Sequence, residues 1–95
     1  MFPARSPEGQ TLWVLIEAKA RLNSRDVVRW SQRVRSSGWQ QDLRERGIPG
    51  PYLVYVHGIR IDMGARGEAE RQGVGLLHTH GELIAPKGLI YPQFS

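Results

Sequence analysis

A chain of 95 residues with 40% hydrophobic side chains is sized for one small folded domain and is too apolar for a disordered tail. It has no cysteine, which excludes disulfides and thiolate metal sites. Its net charge of +4 rests on 13 basic residues, all arginine except Lys19 and Lys87, and arginine is the better two-pronged donor to phosphate.

Residues 1–95 read as a single domain, with no repeat, low-complexity tract or dividing linker. The apolar run Leu12 to Ile16 falls far short of the ~20 residues that a membrane helix needs. The opening "MFPARSPEGQ" has no apolar core of a signal peptide. Cytoplasmic residence without a membrane partner is the resulting expectation.

In chain order, "SPEG" (Ser6 to Gly9) predicts a tight turn, because Pro presets one dihedral and Gly relaxes another. It closes a short N-terminal hairpin arm. Residues 11–20 read as a strand, whose unbroken apolar run implies burial on both faces. Glu17 and Lys19, two residues apart, then share a face with Trp13 and Leu15. Ala18 and Ala20 point the other way and are small enough for a helix to pack closely behind.

The stretch 23–38 predicts a helix, with Asn23 or Ser24 as cap, Asp26 in the first turn and Gly38 at the end. Val27, Trp30 and Val34 fall on one side of it, and Arg25, Arg29 and Arg33 on the other. A second short helix at 39–47, closed by Gly47, leads into the loop "IPGP". Residues 51–61 are β-branched and aromatic and predict a second strand. A weak helix follows at 62–73, with Ala65 and Ala69 as small packing residues. A third strand at 74–86 bends at Gly81. The order strand-helix-strand-helix-strand after the hairpin arm argues for an α/β fold with right-handed crossovers between parallel neighbours.

Charge is concentrated. From Lys19 to Arg35 there are six basic residues and one acid, Asp26, so this stretch carries +5, more than the whole chain. A polyanion such as DNA is the partner this implies, with Arg25, Arg29 and Arg33 tracking its backbone; a merely solvated helix face is the plain alternative. Trp30 and Trp39 could stack on bases, but Trp30 lies on the apolar face and reads better as core. His57, His78 and His80 could hold zinc, but no carboxylate accompanies them at a recognisable spacing.

The segment "WVLIEAKA" resembles the β-strand motif of the PD-(D/E)XK nuclease superfamily, the restriction-endonuclease-like fold: an apolar run, then acid-x-Lys, then a helix. "RLNSRDVVRWSQRV" sits where that family has the following helix, "YLVYVHGIRI" where it has a further strand, and "GEAERQGVGLL" resembles its small-residue helix and final strand. The resemblance covers roughly residues 10–80. It implies that Glu17 ligates Mg²⁺ or Mn²⁺, with the carbonyl of Ala18 as a second ligand. It implies that Lys19 orients the attacking water and offsets charge on the phosphate.

The resemblance also implies another acid, usually Asp, on the strand that pairs with the motif strand. Counting back from a turn at Glu8-Gly9 puts the residue opposite Glu17 at about position zero, before Met1. Met1 to Pro7 holds no acid, and Glu8 lies at the wrong end of the hairpin. The leading helix of the family has no counterpart. The expectation is therefore a nuclease-like domain incomplete at its N-terminal side. It is either a Mg²⁺-dependent DNA endonuclease or a catalytically inert nucleic-acid-binding or assembly module, with Asp26 or Asp62 as acids that could replace the missing one. An open edge on strand 11–20 also implies pairing with a second copy, and so a homo-oligomer.

Overall fold

The structure is a computed structural model and describes residues 1–92. It is an α/β domain: a five-stranded mixed sheet with three helices. The strands are β1 (Phe2–Arg5), β2 (Thr11–Leu22), β3 (Tyr52–Ile61), β4 (Gly75–His78) and β5 (Gly81–Ile84), and the helices are α1 (Ser24–Arg35), α2 (Ser37–Glu45) and α3 (Met63–Gln72). The strands lie side by side in chain order. β2, β3 and β4 run parallel, and β1 and β5 close the two edges as antiparallel hairpin partners.

Each crossover helix forms for local reasons. Asn23 caps α1 by accepting from the Asp26 amide at 3.0 Å, while Asp26 accepts from the Asn23 amide at 3.1 Å, a reciprocal capping box. Val27, Trp30 and Val34 then come round to one side and are buried, as their spacing predicts. In α3 the small Ala65 and Ala69 are both 0% exposed, which lets the helix sit close to the sheet and to α1. The two helices are tied where Ser31 Oγ donates to Gln72 Oε1 at 2.9 Å and Arg35 donates to the Gln72 carbonyl at 2.8 Å.

Two predicted boundaries move. The helix expected to run to Gly38 stops at Arg35, because Ser36 is extended (φ −76°, ψ 136°). The Ser36 hydroxyl then accepts from the Trp39 amide and starts α2, which takes Gly38 into its first turn and ends just before Gly47. The single bent strand expected at 74–86 is instead the hairpin β4–β5: Gly81, at φ 126°, reverses the chain where a side chain would be strained.

The third difference matters most. The apolar run of β2 is buried on both faces as expected, with Val14 6% and Leu15 0% exposed, but the helix expected behind Ala18 and Ala20 is not there among the described residues. Both crossovers, β2 to β3 and β3 to β4, step along the sheet in the same direction. Right-handed connections of that kind lay their helices on the same face. α1 and α3 accordingly pack against each other over Leu15, Tyr52, Val54, Val56 and Leu76, and α2 adds Leu43 to the same core. Ala18 and Ala20 are exposed, with no helix over them among the described residues. The molecule is 21 Å thin along its shortest axis, the thickness of one helix layer on one sheet.

Candidate functional site

β2 is the longest strand, and its two ends do different work. Leu12 to Leu15 anchor it: Val14 is 6% exposed and Leu15 is 0% exposed. Beyond Ile16 the same alternation that buries Leu15 turns Glu17 and Lys19 toward α1. Helix α1 starts just after β2 ends, so its first turns stand over the carboxyl end of the strand. The result is a cleft of about 80 Å³ lined by Glu17, Lys19, Asp26, Arg29, Trp30 and Arg33. Ligands in open α/β sheets bind at this end of the strands.

Three cations and two carboxylates meet here, so the cleft is net positive. Arg33 Nη1 lies 3.9 Å from Glu17 Oε2, with the two side chains 55% and 28% exposed. A pair this long and this solvated contributes under about 1 kcal/mol. It orients the arginine without holding the carboxylate. Trp30 forms the floor: its indole N–H donates to the Tyr55 carbonyl at 2.9 Å, and its ring meets Trp39 edge to face at 5.6 Å between centroids. Both tryptophans are thereby engaged in packing, and Trp30 is 6% exposed. Trp30 therefore has no face left for a base, while Trp39 is half-buried beside it.

The arginine row of α1 is divided between two surfaces. Arg29 and Arg33 line the cleft. Arg25 lies with Ser24, Val28 and Arg29 along a separate shallow groove. The slant of an i, i+4, i+8 row around the helix carries its far end over the sheet, so Arg29 belongs to both surfaces.

The carbonyl of Ala18 also has a definite setting. Backbone groups of a strand alternate between its two edges. The Trp13 amide donates toward β3, to the Pro51 carbonyl at 2.9 Å, so odd-numbered residues up to Lys19 turn their backbone toward β3. Ile16 and Ala18 turn theirs to the opposite edge. There β1 reaches only as far as Val14, which pairs with Phe2, and no described residue stands opposite Glu17. Glu8 sits in the turn of the hairpin, as the count from sequence placed it.

Of the two acids considered as replacements, Asp26 lines the cleft and Asp62 does not. One oxygen of Asp26 is committed to the Asn23 amide. Asp62 precedes α3 and pairs with Arg21 at 3.1 Å. The histidines do not converge. His57 is on the sheet face away from the helices, while His78 ends β4, takes the Ile59 carbonyl at 3.0 Å, and lies 6.0 Å from His80 between ring centroids. Among the described residues no three His, Asp or Glu side chains gather as a metal site.

The donor set at Glu17 suits a hard cation all the same. Mg²⁺ is commonly held by one or two carboxylates together with substrate phosphate oxygens and waters. Glu17 and the Ala18 carbonyl supply oxygen ligands of that kind, and Asp26 faces the same space. What sequence reasoning missed was the place of Asp26: its position in the first turn of the helix was legible, but not that α1 begins close enough to β2 to bring it into the cleft with Glu17. No helix among the described residues is long and apolar enough to cross a membrane. No family model, no curated protein and no solved structure significantly matches the chain.

Proposed function

We propose that this chain is a nuclease-like domain whose cleft takes a phosphodiester of DNA and supports its divalent-dependent hydrolysis. The observation that carries the reading is the convergence of the strand-borne Glu17 and Lys19 with the helix-borne Arg29 and Arg33 on one cleft. A bound Mg²⁺ or Mn²⁺, held by Glu17 and the Ala18 carbonyl, would supply Lewis-acid activation of the phosphate. The protein's own groups do the rest. Arg29 and Arg33 bind the anionic phosphate oxygens and fix the backbone in the cleft. Lys19 orients the attacking water and opposes the charge that grows on the phosphate as the new P–O bond forms and the bond to the leaving sugar oxygen breaks; the water's proton passes to solvent, and the leaving oxygen takes one from solvent.

A second reading has its own observation. Arg33 lies 3.9 Å from Glu17, the strand carboxylate that lines the cleft, and so offsets its charge. A module that binds duplex DNA through this cleft without cleaving it fits that arrangement, and self-association through the open edge of β2 fits either reading. Plasmid nicking with Mg²⁺ or Mn²⁺ separates the two. The nuclease reading expects divalent-dependent nicking that is lost in both Glu17→Ala and Lys19→Ala while circular dichroism stays that of the parent. Binding without nicking by the folded parent chain selects the inert module. Nicking unchanged in Lys19→Ala would remove the catalytic role from this cleft.

A further inference from the structure

We infer that the duplex makes a second phosphate contact beside the cleft, at Arg60 and Arg66 on the carboxyl edge of the sheet. This rests on the reading of the cleft as a DNA phosphate site and extends its footprint.

The strand register builds the cluster. Arg21 on β2 pairs with Arg60 on β3, so two arginines start from neighbouring strands about 4.8 Å apart. Like charges set side by side on neighbouring strands repel, and an anion between them removes that cost. The acid close at hand is Asp62, two residues past Arg60, and it is already engaged: Arg21 Nε donates to its Oδ1 at 3.1 Å. Arg66 stands one helical turn past Asp62, and the two line one groove of about 450 Å³. Three cations thus surround one carboxylate, and its pairing with Arg21 leaves two charges over. Elsewhere Arg33, Arg46 and Arg71 each lean on a carboxylate. Arg60 and Arg66 are exposed and have neither an ion pair nor a hydrogen bond among the described residues. Glu70, four residues on from Arg66, makes no ion pair with it.

Position selects the partner. Arg21 is two residues past Lys19 on β2, about 6.6 Å along the strand. Phosphates of one DNA strand advance about 3.4 Å each along the helix axis, so a backbone held at Lys19 passes the cluster within about two steps. The starts of α1 and α3 stand side by side along this edge: a Cβ on Gly64 would lie 3.5 Å from that of Ser24. Cleft and cluster therefore form one track outside the carboxyl ends of β2 and β3, where open α/β sheets take their ligands. The concave cleft beside the arginines suits a phosphate backbone better than a membrane surface. Each guanidinium can meet two phosphate oxygens. In this role Arg60 and Arg66 position the duplex and touch no reacting atom.

The test is fluorescence anisotropy of a labelled duplex with the whole chain over a salt series. It compares the parent with an Arg60→Gln/Arg66→Gln pair, an Arg60→Lys/Arg66→Lys pair, and the Arg29→Ala/Arg33→Ala pair that reads the cleft. The control is Arg46→Gln, between α2 and the start of β3 and so at the opposite end of the sheet. Losing two contacts should flatten the slope of log affinity against log salt by about 1.8, so the Gln pair should lose about 12-fold less affinity than the parent between 50 and 200 mM salt. The Lys pair, which keeps both charges, and Arg46→Gln should keep the parent's slope, and circular dichroism should be the same throughout. A Gln pair with the parent's slope, while the Arg29/Arg33 pair flattens it, overturns the inference and leaves the cleft standing. The converse result removes the phosphate from the cleft and keeps it at Arg60 and Arg66. Equal flattening by Arg46→Gln overturns the inference, because the slope then follows net charge alone. A Gln pair that weakens binding only to phosphatidylserine vesicles overturns it too and gives the edge to a membrane surface. A parent without salt-dependent duplex binding overturns both the inference and the cleft.

Discussion

The divided arginine row gives the sharpest test of the cleft. Arg29 and Arg33 line it with Lys19, while Arg25 lies on the neighbouring groove. Each phosphate neutralised by a basic side chain contributes about −0.9 to the slope of log affinity against log salt. Replacing both Arg29 and Arg33 with Ala should therefore flatten the slope by about 1.8, and Arg25→Ala should change it by much less. Between 50 and 200 mM salt, each contact is worth about a 3.5-fold change in affinity, so the parent should lose about 12-fold more over that range than the double variant does. The ion pair with Glu17 does not cancel the effect. At 3.9 Å and largely in solvent it engages Arg33 too weakly to compete with a phosphate. The assay is fluorescence anisotropy of a labelled duplex, titrated at several salt concentrations, with Arg25→Ala as the internal control. Equal slopes for the parent and the Arg29/Arg33 double variant would refute the cleft as the phosphate site. A slope that flattens only in Arg25→Ala would move the site to the outer groove.

Other expectations follow from the same geometry. Leu15→Ala, at a position 0% exposed between the sheet and α1, should cost about 2–5 kcal/mol by thermal or urea unfolding. Asn23→Ala removes the capping acceptor of α1 and should cost about 1 kcal/mol, with the loss read as a lowered unfolding midpoint. Trp30→Phe keeps the aromatic floor and removes the indole bond to the Tyr55 carbonyl, which keeps its place in the sheet ladder, so it should lower stability by about 0.5–1.5 kcal/mol, and urea unfolding would register it. Burial and the hydrogen bond to Glu82 push the Tyr55 hydroxyl up to about 12 from 10.0. The raised value means the folded form keeps its proton longer than the unfolded form, so this contribution is complete below pH 10 and is lost as the pH climbs through about 12. Thermal melts from pH 9 upward should show that decline in the parent and a smaller one in Tyr55→Phe.

Much of the fold was legible because the signals were local. The spacing of Val27, Trp30 and Val34, the caps near Asn23, and the β-branched run of β3 each describe a single element. The hairpin register was legible too, since a turn at Ser6 to Gly9 leaves one way to pair β1 with β2: the structure pairs Phe2 with Val14, within one residue of the count. What was not legible is relational. That α1 breaks at Ser36 depends on a hydroxyl turning to a later amide. That His57 and His78 lie on different faces depends on where β4 enters the sheet. That Asp26 joins Glu17 depends on the single residue, Asn23, between Leu22 and Ser24, which puts the first turn of a helix over the end of a strand.

The cleft and the helix-free face have one cause. Two right-handed crossovers that step the same way put both helices on one side of the sheet. On that side, the helix starts crowd the carboxyl ends of the strands, and α1 brings Asp26, Arg29 and Arg33 to Glu17 and Lys19. On the other side, the same choice leaves the strands' second apolar face without a helix. The charge of the cleft therefore depends on where α1 begins rather than on the sheet, and Arg29 and Arg33, the latter 55% exposed, can be replaced without touching the core. The Arg29/Arg33 double variant should keep the circular dichroism and unfolding midpoint of the parent while its duplex binding weakens. A double variant that unfolds would show that the row holds α1 in place, and the salt slopes would then carry no information about the cleft.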